Sequence, residues 1–285
     1  MQRFPAVDLA GPLCGRHTQS GRGICDLVLR VVGPVYPLVV PGKEPVSKRE
    51  PRNNTKLILT LAAERVFATH GIAGATLKEI RCAAGQRNES AIHYHFGSRE
   101  AVLHSILELR TVPINRMRLR LLDEARAQSP DGKLSTQQIV DCFLDPLADF
   151  LFESDQQTYY LRFLWQLAAD RQTWRRVAGG NHDRGLQQCL AALVQTKAHL
   201  PRTIVERRYA NLTNQMIAAL ASIEQVRADK PGAFEAEQAL MRVEDLRTTG
   251  VAQLDAPLSE RAARLAQTVT RTDEIAASLA GTVLG

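Results

Sequence analysis

Between positions 76 and 99 the chain gathers Thr76, Lys78, Arg87, Asn88, Ser90, Ala91, His93, Tyr94, His95 and Arg99. Their hydroxyl, amide, imidazole and cationic groups suit hydrogen bonds to phosphate oxygens or base edges, and the Ala91 methyl suits a thymine methyl. Ile92 and Phe96, at i and i+4, are the apolar anchors of the same short stretch. Tyr94 has a second reading, as a cover for the edge of the core. His93 and His95 point about 200° apart around a helix, which makes them poor joint metal ligands. No metal and no cofactor is expected. Catalytic chemistry has no constellation here: there is no G-x-S-x-G, no G-x-G-x-x-G and no Walker loop, and Cys82 has no evident base beside it. His182-Asp183 reads as a helix start rather than half of a catalytic pair.

Three helices must position those groups. Thr55 can cap a first helix whose stripe is Leu59, Ala62, Ala63, Val66 and Phe67, with Gly71 as a left-handed stop. Thr76-Leu77-Lys78-Glu79 is a capping box, in which the hydroxyl accepts from the Glu79 amide while the carboxylate reaches back. It opens a short helix that ends at Gly85. After a turn, Asn88 can cap a third helix over 89–95. Two short helices behind a longer one match the helix-turn-helix plan, with the third helix as the reader and Arg99 in reach of a phosphate.

The charge supports this placement. The formal net charge is +6, and all of it lies in residues 1–110, which hold 15 Lys/Arg against 9 Asp/Glu; the remainder is balanced at 21 against 21. A basic module joined to a neutral partner suits a polyanion, although scatter alone would also give such a count. The composition is that of a globular protein, at 45% hydrophobic and 23% charged residues. No apolar run is long enough for a membrane helix, no signal peptide is evident, and the five cysteines form no CxxC pair. A cytoplasmic protein with no membrane partner is expected. Residues 1–50 carry six of the 13 prolines, without a sustained periodic pattern, and read as a mostly disordered leader with a basic end over 47–52. From Thr55 the period is helical throughout. Helices are expected over about 55–70, 77–84, 89–95, 99–127, 136–153, 157–177, 182–199, 203–228, 232–248 and 258–280. The fold class is all-α, with a DNA-binding unit over 51–110 and a helical domain over 111–285.

Segment 55–110 resembles the DNA-binding domain of the TetR/AcrR family of transcriptional regulators. The matching residues are Thr55, Phe67-Ala68-Thr69-His70-Gly71, Thr76-Leu77-Lys78-Glu79-Ile80, Ala83-Ala84-Gly85, His93-Tyr94-His95-Phe96 and Gly97-Ser98-Arg99-Glu100. Two departures bear on the pitch and reach of the third helix. Gly85 to Phe96 is one residue longer than the family pattern, through Gln86-Arg87, and Arg81 stands where the family has a small residue. The resemblance implies a regulator, most often a repressor, that binds double-stranded operator DNA as a homodimer and answers to a small-molecule effector of unidentified chemistry. A non-specific architectural DNA binder without an effector, and a helical-bundle enzyme, are the rival readings.

The second half concentrates aromatic residues, among them Phe143, Phe150, Tyr159, Phe163 and Trp165. They suit the core of a bundle, and the resemblance implies that the same region encloses the effector. Val205, Tyr209, Leu212, Met216 and Ile223 belong to a heptad seam over 203–228. Such a seam suits either the bundle core or, as the resemblance implies, a two-fold interface formed with the helix 258–280.

Overall fold

The computed structural model describes residues 51–153, 157–177, 182–229 and 234–268. The expected leader, 1–50, and most of the expected last helix lie outside them. Every regular element among the described residues is helical: α1 (Pro51–Gly74), α2 (Leu77–Ala83), α3 (Ala91–His95), α4 (Arg99–Gln128), α5 (Thr136–Glu153), α6 (Tyr160–Ala169), α7 (Arg171–Val177), α8 (Arg184–Thr196), α9 (Arg202–Asp229) and α10 (Ala236–Asp255). Residues 260–268 are helical as well.

Two of the differences from the sequence pattern have a local reason. α1 starts at Pro51, so Thr55 lies inside the helix instead of capping it; proline is well suited to a first helical position. Gly71, at φ 79° and ψ 164°, breaks α1 as expected. The expected helix 157–177 is two helices. Asp170 leaves helical geometry (ψ 80°), and its carboxylate accepts from the Thr173 amide and hydroxyl at 3.0 and 2.8 Å, which starts α7 afresh.

The bundle core is continuous from Leu59 to Leu254. α1 packs most extensively on α6, joining the N-terminal helices to the rest: Phe67 meets Phe163 with ring centroids 6.2 Å apart. Two buried carboxylates hold the N-terminal turn of α6. Glu64 accepts from the Tyr159 amide at 3.1 Å and from Arg110 Nε at 2.8 Å. Glu224, from α9, accepts from the amides of Leu161 and Arg162 at 3.2 and 3.0 Å and from the Thr158 hydroxyl at 2.9 Å. The first amides of a helix lack partners within it and carry the positive end of its dipole, so carboxylates from α1 and α9 are well matched to that place. Burial pushes the Glu224 carboxyl above its ordinary range, against the pull of these donors.

The seam on α9 faces inward. Val205, Tyr209, Leu212, Met216 and Ile223 are all buried within the single chain. Tyr209 meets Phe143 of α5 and donates to the Leu186 carbonyl of α8, and α10 crosses so closely at Gly250 that a Cβ there would lie 2.6 Å from Met216 Cε. These five residues therefore form intramolecular core and cannot be the dimer surface. A heptad stripe reports a shallow-angle partner without saying whether that partner is in the same chain.

Candidate nucleic-acid interface

The capping box forms as expected. Thr76 Oγ1 accepts from the Glu79 amide at 3.2 Å, while Glu79 Oε2 accepts from the Thr76 amide at 2.7 Å and from its hydroxyl at 2.8 Å. These donors, the amide first, hold the Glu79 carboxyl below its usual range. α2 then runs to the turn at Gly85.

The two departures from the family pattern answer each other at this turn. Arg81 Nη1 donates to the carbonyls of Gln86 and Arg87, at 2.8 and 3.3 Å. The extra residue lengthens the turn, and the guanidinium supplies donors to carbonyls that the longer turn leaves without helical partners. Asn88 Oδ1 accepts from the Ser90 amide at 3.0 Å, and α3 begins at Ala91, two residues later than expected.

α3 is seated by Ala91 and Ile92, both buried. Ala91 is thus a packing residue and not a base contact, because its methyl points into the core. Lys78, Arg87, Asn88, Ser90, His93 and Tyr94 are exposed, Tyr94 at 60%, and His95 is half-buried with its ring edge-on to Tyr94. Thr76 is exposed too, with its hydroxyl engaged in the capping box. The exposed surface of this short unit therefore includes two cations, an amide, a hydroxyl, an imidazole and a phenol.

Arg99 departs from its expected role. Its guanidinium donates to the Ala75 carbonyl at 2.6 Å and to the Ile72 carbonyl, and it stacks over Phe67 with Cζ 5.1 Å from the ring centroid. It fastens the start of α4 to the end of α1 and so helps to position α3, and two of its five donors are taken up by those carbonyls.

Within the bundle, a cavity of about 30 Å³ is lined by Leu107, Thr111, Ile114 and Arg118 of α4, with Phe143, Trp174 and others around them. A single water needs only about 10–15 Å³ by this measure. Of the aromatic residues expected to line a pocket, Phe143 does. Phe150 and Phe163 are buried in the packing around Tyr160, Tyr159 stacks beneath the Arg162 guanidinium, and Trp165 is 39% exposed on the outside. Composition marks the aromatic cluster, to which Phe143 and Trp174 belong, but much of the cavity wall is formed by residues spaced 4-3-4 along α4, and the cluster does not point to Arg118. That spacing, Leu107-Thr111-Ile114-Arg118, was the available signal: it sets an arginine on an otherwise inward face.

Two family models match the chain. The model of bacterial regulatory proteins of the tetR family matches residues 59–106, and that of the tetracyclin repressor-like C-terminal domain matches residues 141–249. The chain belongs to the TetR family. It is a DNA-binding transcriptional regulator, with α2, α3 and most of α1 inside the first match and α6–α9 inside the second. Similar solved structures include a gamma-butyrolactone receptor (ArpA-like protein), at 17% identity over 76% of this chain and 98% of that one, TM-score 0.40. Salmonella enterica GusR is 16% identical over 74% and 100% of the two chains, TM-score 0.38. A TetR-family regulator from Streptomyces coelicolor A3 is 16% identical over 73% and 99%, TM-score 0.32. No curated protein matches. No helix among the described residues is long and apolar enough to cross a membrane.

Proposed function

We propose that this TetR-family regulator is a ligand-responsive repressor that binds operator DNA as a homodimer, with α3 in the major groove and Lys78, Arg87, Asn88, Ser90, His93 and Tyr94 in contact with DNA. The observation that carries the ligand response is the continuity of α4. Its first turns hold the reader unit, through Arg99 and the Arg110–Glu64 pair, and its middle turns line the cavity with Leu107, Thr111, Ile114 and Arg118. Pro113 lies among those lining residues and lacks the amide that would complete the helix ladder, so α4 bends most readily at the level of the cavity. A ligand that widens the cavity must displace α4 and, with it, the seat of α3. Repression is relieved by the difference in ligand affinity between the two arrangements.

Dimerisation supports paired half-sites, since one short reader helix contacts only a few base pairs. With the α9 seam buried, the apolar side chains left on the surface include Val226, Met241 and Leu265, toward the C-terminal end of the described chain. The test is binding of the purified protein to fragments of its own genome, followed by footprinting. A two-fold footprint with half-sites one turn apart, preferred by about 10³ or more over bulk DNA, is expected. Uniform coating of all fragments would instead mean architectural binding without an operator.

A further inference from the structure

Two arginines lie inside the bundle. Arg162 is paired with Glu224, Nε to Oε2 at 3.4 Å. Arg118 is more deeply buried, at 3% exposure, and pairs with no carboxylate among the described residues. Its Nη1 donates to Asn115 Oδ1 at 2.6 Å and its Nη2 to the Phe143 carbonyl at 3.3 Å, whereas its buried Nε has no acceptor. The guanidinium also stacks over the Phe143 ring, Cζ 5.2 Å from the centroid.

A guanidinium keeps its positive charge in a protein, and an uncompensated buried charge is costly. The thiols and hydroxyls around Arg118 offer no counter-charge. Burial pushes the thiols of Cys142 and Cys189 up to about 12 and about 11 and the Tyr160 hydroxyl up to about 12, and it raises Tyr209 as well. All four are neutral near pH 7. Asp183, at the start of α8, accepts from Gln187 through Oδ2 at 2.8 Å, and its buried Oδ1 has no hydrogen-bond partner among the described residues, so it is not paired with Arg118. The fold nevertheless fixes the arginine in place. Asn115, which orients it, donates to the His182 carbonyl at 2.9 Å, and α8 approaches so closely that a Cβ on Gly185 would lie 2.6 Å from Asn115 Oδ1 and 3.1 Å from Arg118 Cδ. A preorganised cation on the wall of an apolar cavity, with an unused donor, is a site built for an anionic oxygen.

We propose that the effector is a small organic carboxylate with an apolar body, its carboxyl group paired with Arg118 and its body against Leu107, Ile114, Phe143 and Trp174. This rests on the ligand-responsive reading above and assigns the chemical class of its ligand. Entry of the body enlarges the cavity and presses on α4, while the carboxylate supplies the paired counter-charge that Arg118 lacks among the described residues.

The probes are straight-chain carboxylates from acetate to octanoate and the primary amides of matching length. In full-length protein carrying Trp165→Phe, Trp174 is the one remaining tryptophan and stands on the cavity wall. Its emission and the Tm report binding. Carboxylates should bind saturably and about ten- to a hundred-fold tighter than their amides, as for a hydrogen bond to a charged group. Arg118→Met should abolish that difference, Arg118→Lys should keep part of it, and the Tm of ligand-free Arg118→Met should stay the same or rise. The proposal is overturned if acid and amide bind alike, if no member of the series binds, or if Arg118→Met lowers the ligand-free Tm by more than about 5 °C, which marks a structural arginine. Operator affinity in the same samples separates the two readings. Arg118-dependent carboxylate binding that leaves operator affinity unchanged upholds the anion site and refutes the ligand-responsive function.

Discussion

On α2 and in the turn before α3, Lys78 and Arg87 stand in solvent with their charges displayed; on α4, Arg118 is sealed among aromatic rings and neutral hydroxyls and thiols. The same chemistry, a cation awaiting an anionic oxygen, has opposite physical consequences in the two places. In water a phosphate contact gains modestly and is screened by salt, so many contacts must act together. Inside the bundle a single pairing is strong and selective, and its absence is felt as stability forgone. Not every arginine near the surface is free for such work. Arg81 and Arg99 lie in the reader unit yet give their donors to backbone carbonyls, so charge count alone overstates how much of this unit faces DNA.

The strongest test of the contrast is to break a buried ion pair, Arg162–Glu224. Glu224→Ala removes an acceptor of three α6 donors and leaves Arg162 buried without a partner. A loss of about 3–5 kcal/mol is expected from urea unfolding, while Arg118→Met, which removes an already unpaired charge, should cost little. The pH dependence of the site has a definite sign. The Glu224 carboxyl is raised in the folded chain, so its contribution is largest below the ordinary carboxyl range and declines as pH rises toward its folded value. Glu224→Gln should abolish that decline in a pH series of Tm values.

A smaller effect separates seat from reading surface within α3. Ala91→Leu overfills a buried position and should cost about 1–3 kcal/mol and weaken binding to every DNA sequence alike. His93→Ala, on the exposed side, should leave the Tm within about 1 °C and alter operator affinity or preference, because exposed substitutions away from special contacts are nearly neutral for stability. Equal behaviour of the two variants would mean that α3 faces the other way.

The third test compares two cations of the reader unit. Arg99→Ala should lower stability by about 1–3 kcal/mol through lost charged hydrogen bonds and ring stacking, with the salt dependence of surviving DNA binding unchanged. Lys78→Ala should do the reverse: no change in Tm, and a slope against log salt flatter by about one. The smallest effect belongs to the capping box. Thr76→Ala should cost about 1 kcal/mol. The Glu79 carboxyl is held low by Thr76, so its contribution is present above the ordinary carboxyl range and is lost as pH falls; Glu79→Gln should flatten this acid limb, opposite in sense to Glu224.

Much of the fold was legible because its signals are local. Stripes at 3.6 spacing, the Thr76–Glu79 box and the glycines at 71 and 85 placed the N-terminal helices to within a few residues, and they named Lys78, Arg87, Asn88, Ser90, His93 and Tyr94 as a polar set that the structure leaves exposed. The break at Asp170 was missed although its carboxylate and Thr173 carry a capping spacing, because the surrounding residues favour a helix on either side. Arg81 was legible as a departure, but its purpose depends on carbonyls five and six residues away whose direction no pattern states.

What the sequence determined by itself was therefore the helical class, the reader unit and the family. Each follows from hydrogen bonds and side-chain contacts within a turn or two of helix, whose geometry is nearly the same in every protein. What only the tertiary structure decided was which way each face turns. Val205, Tyr209, Leu212, Met216 and Ile223 make the same stripe whether they meet α5, α8 and α10 or a second copy of the chain; Ala91 is as small inside as outside; Arg99 reaches carbonyls 24 and 27 residues earlier. The cavity is the extreme case. Its cation, its orienting amide and its rings come from α4, α5, α7 and the approach to α8, and their meeting depends on helix packing that no single periodicity contains.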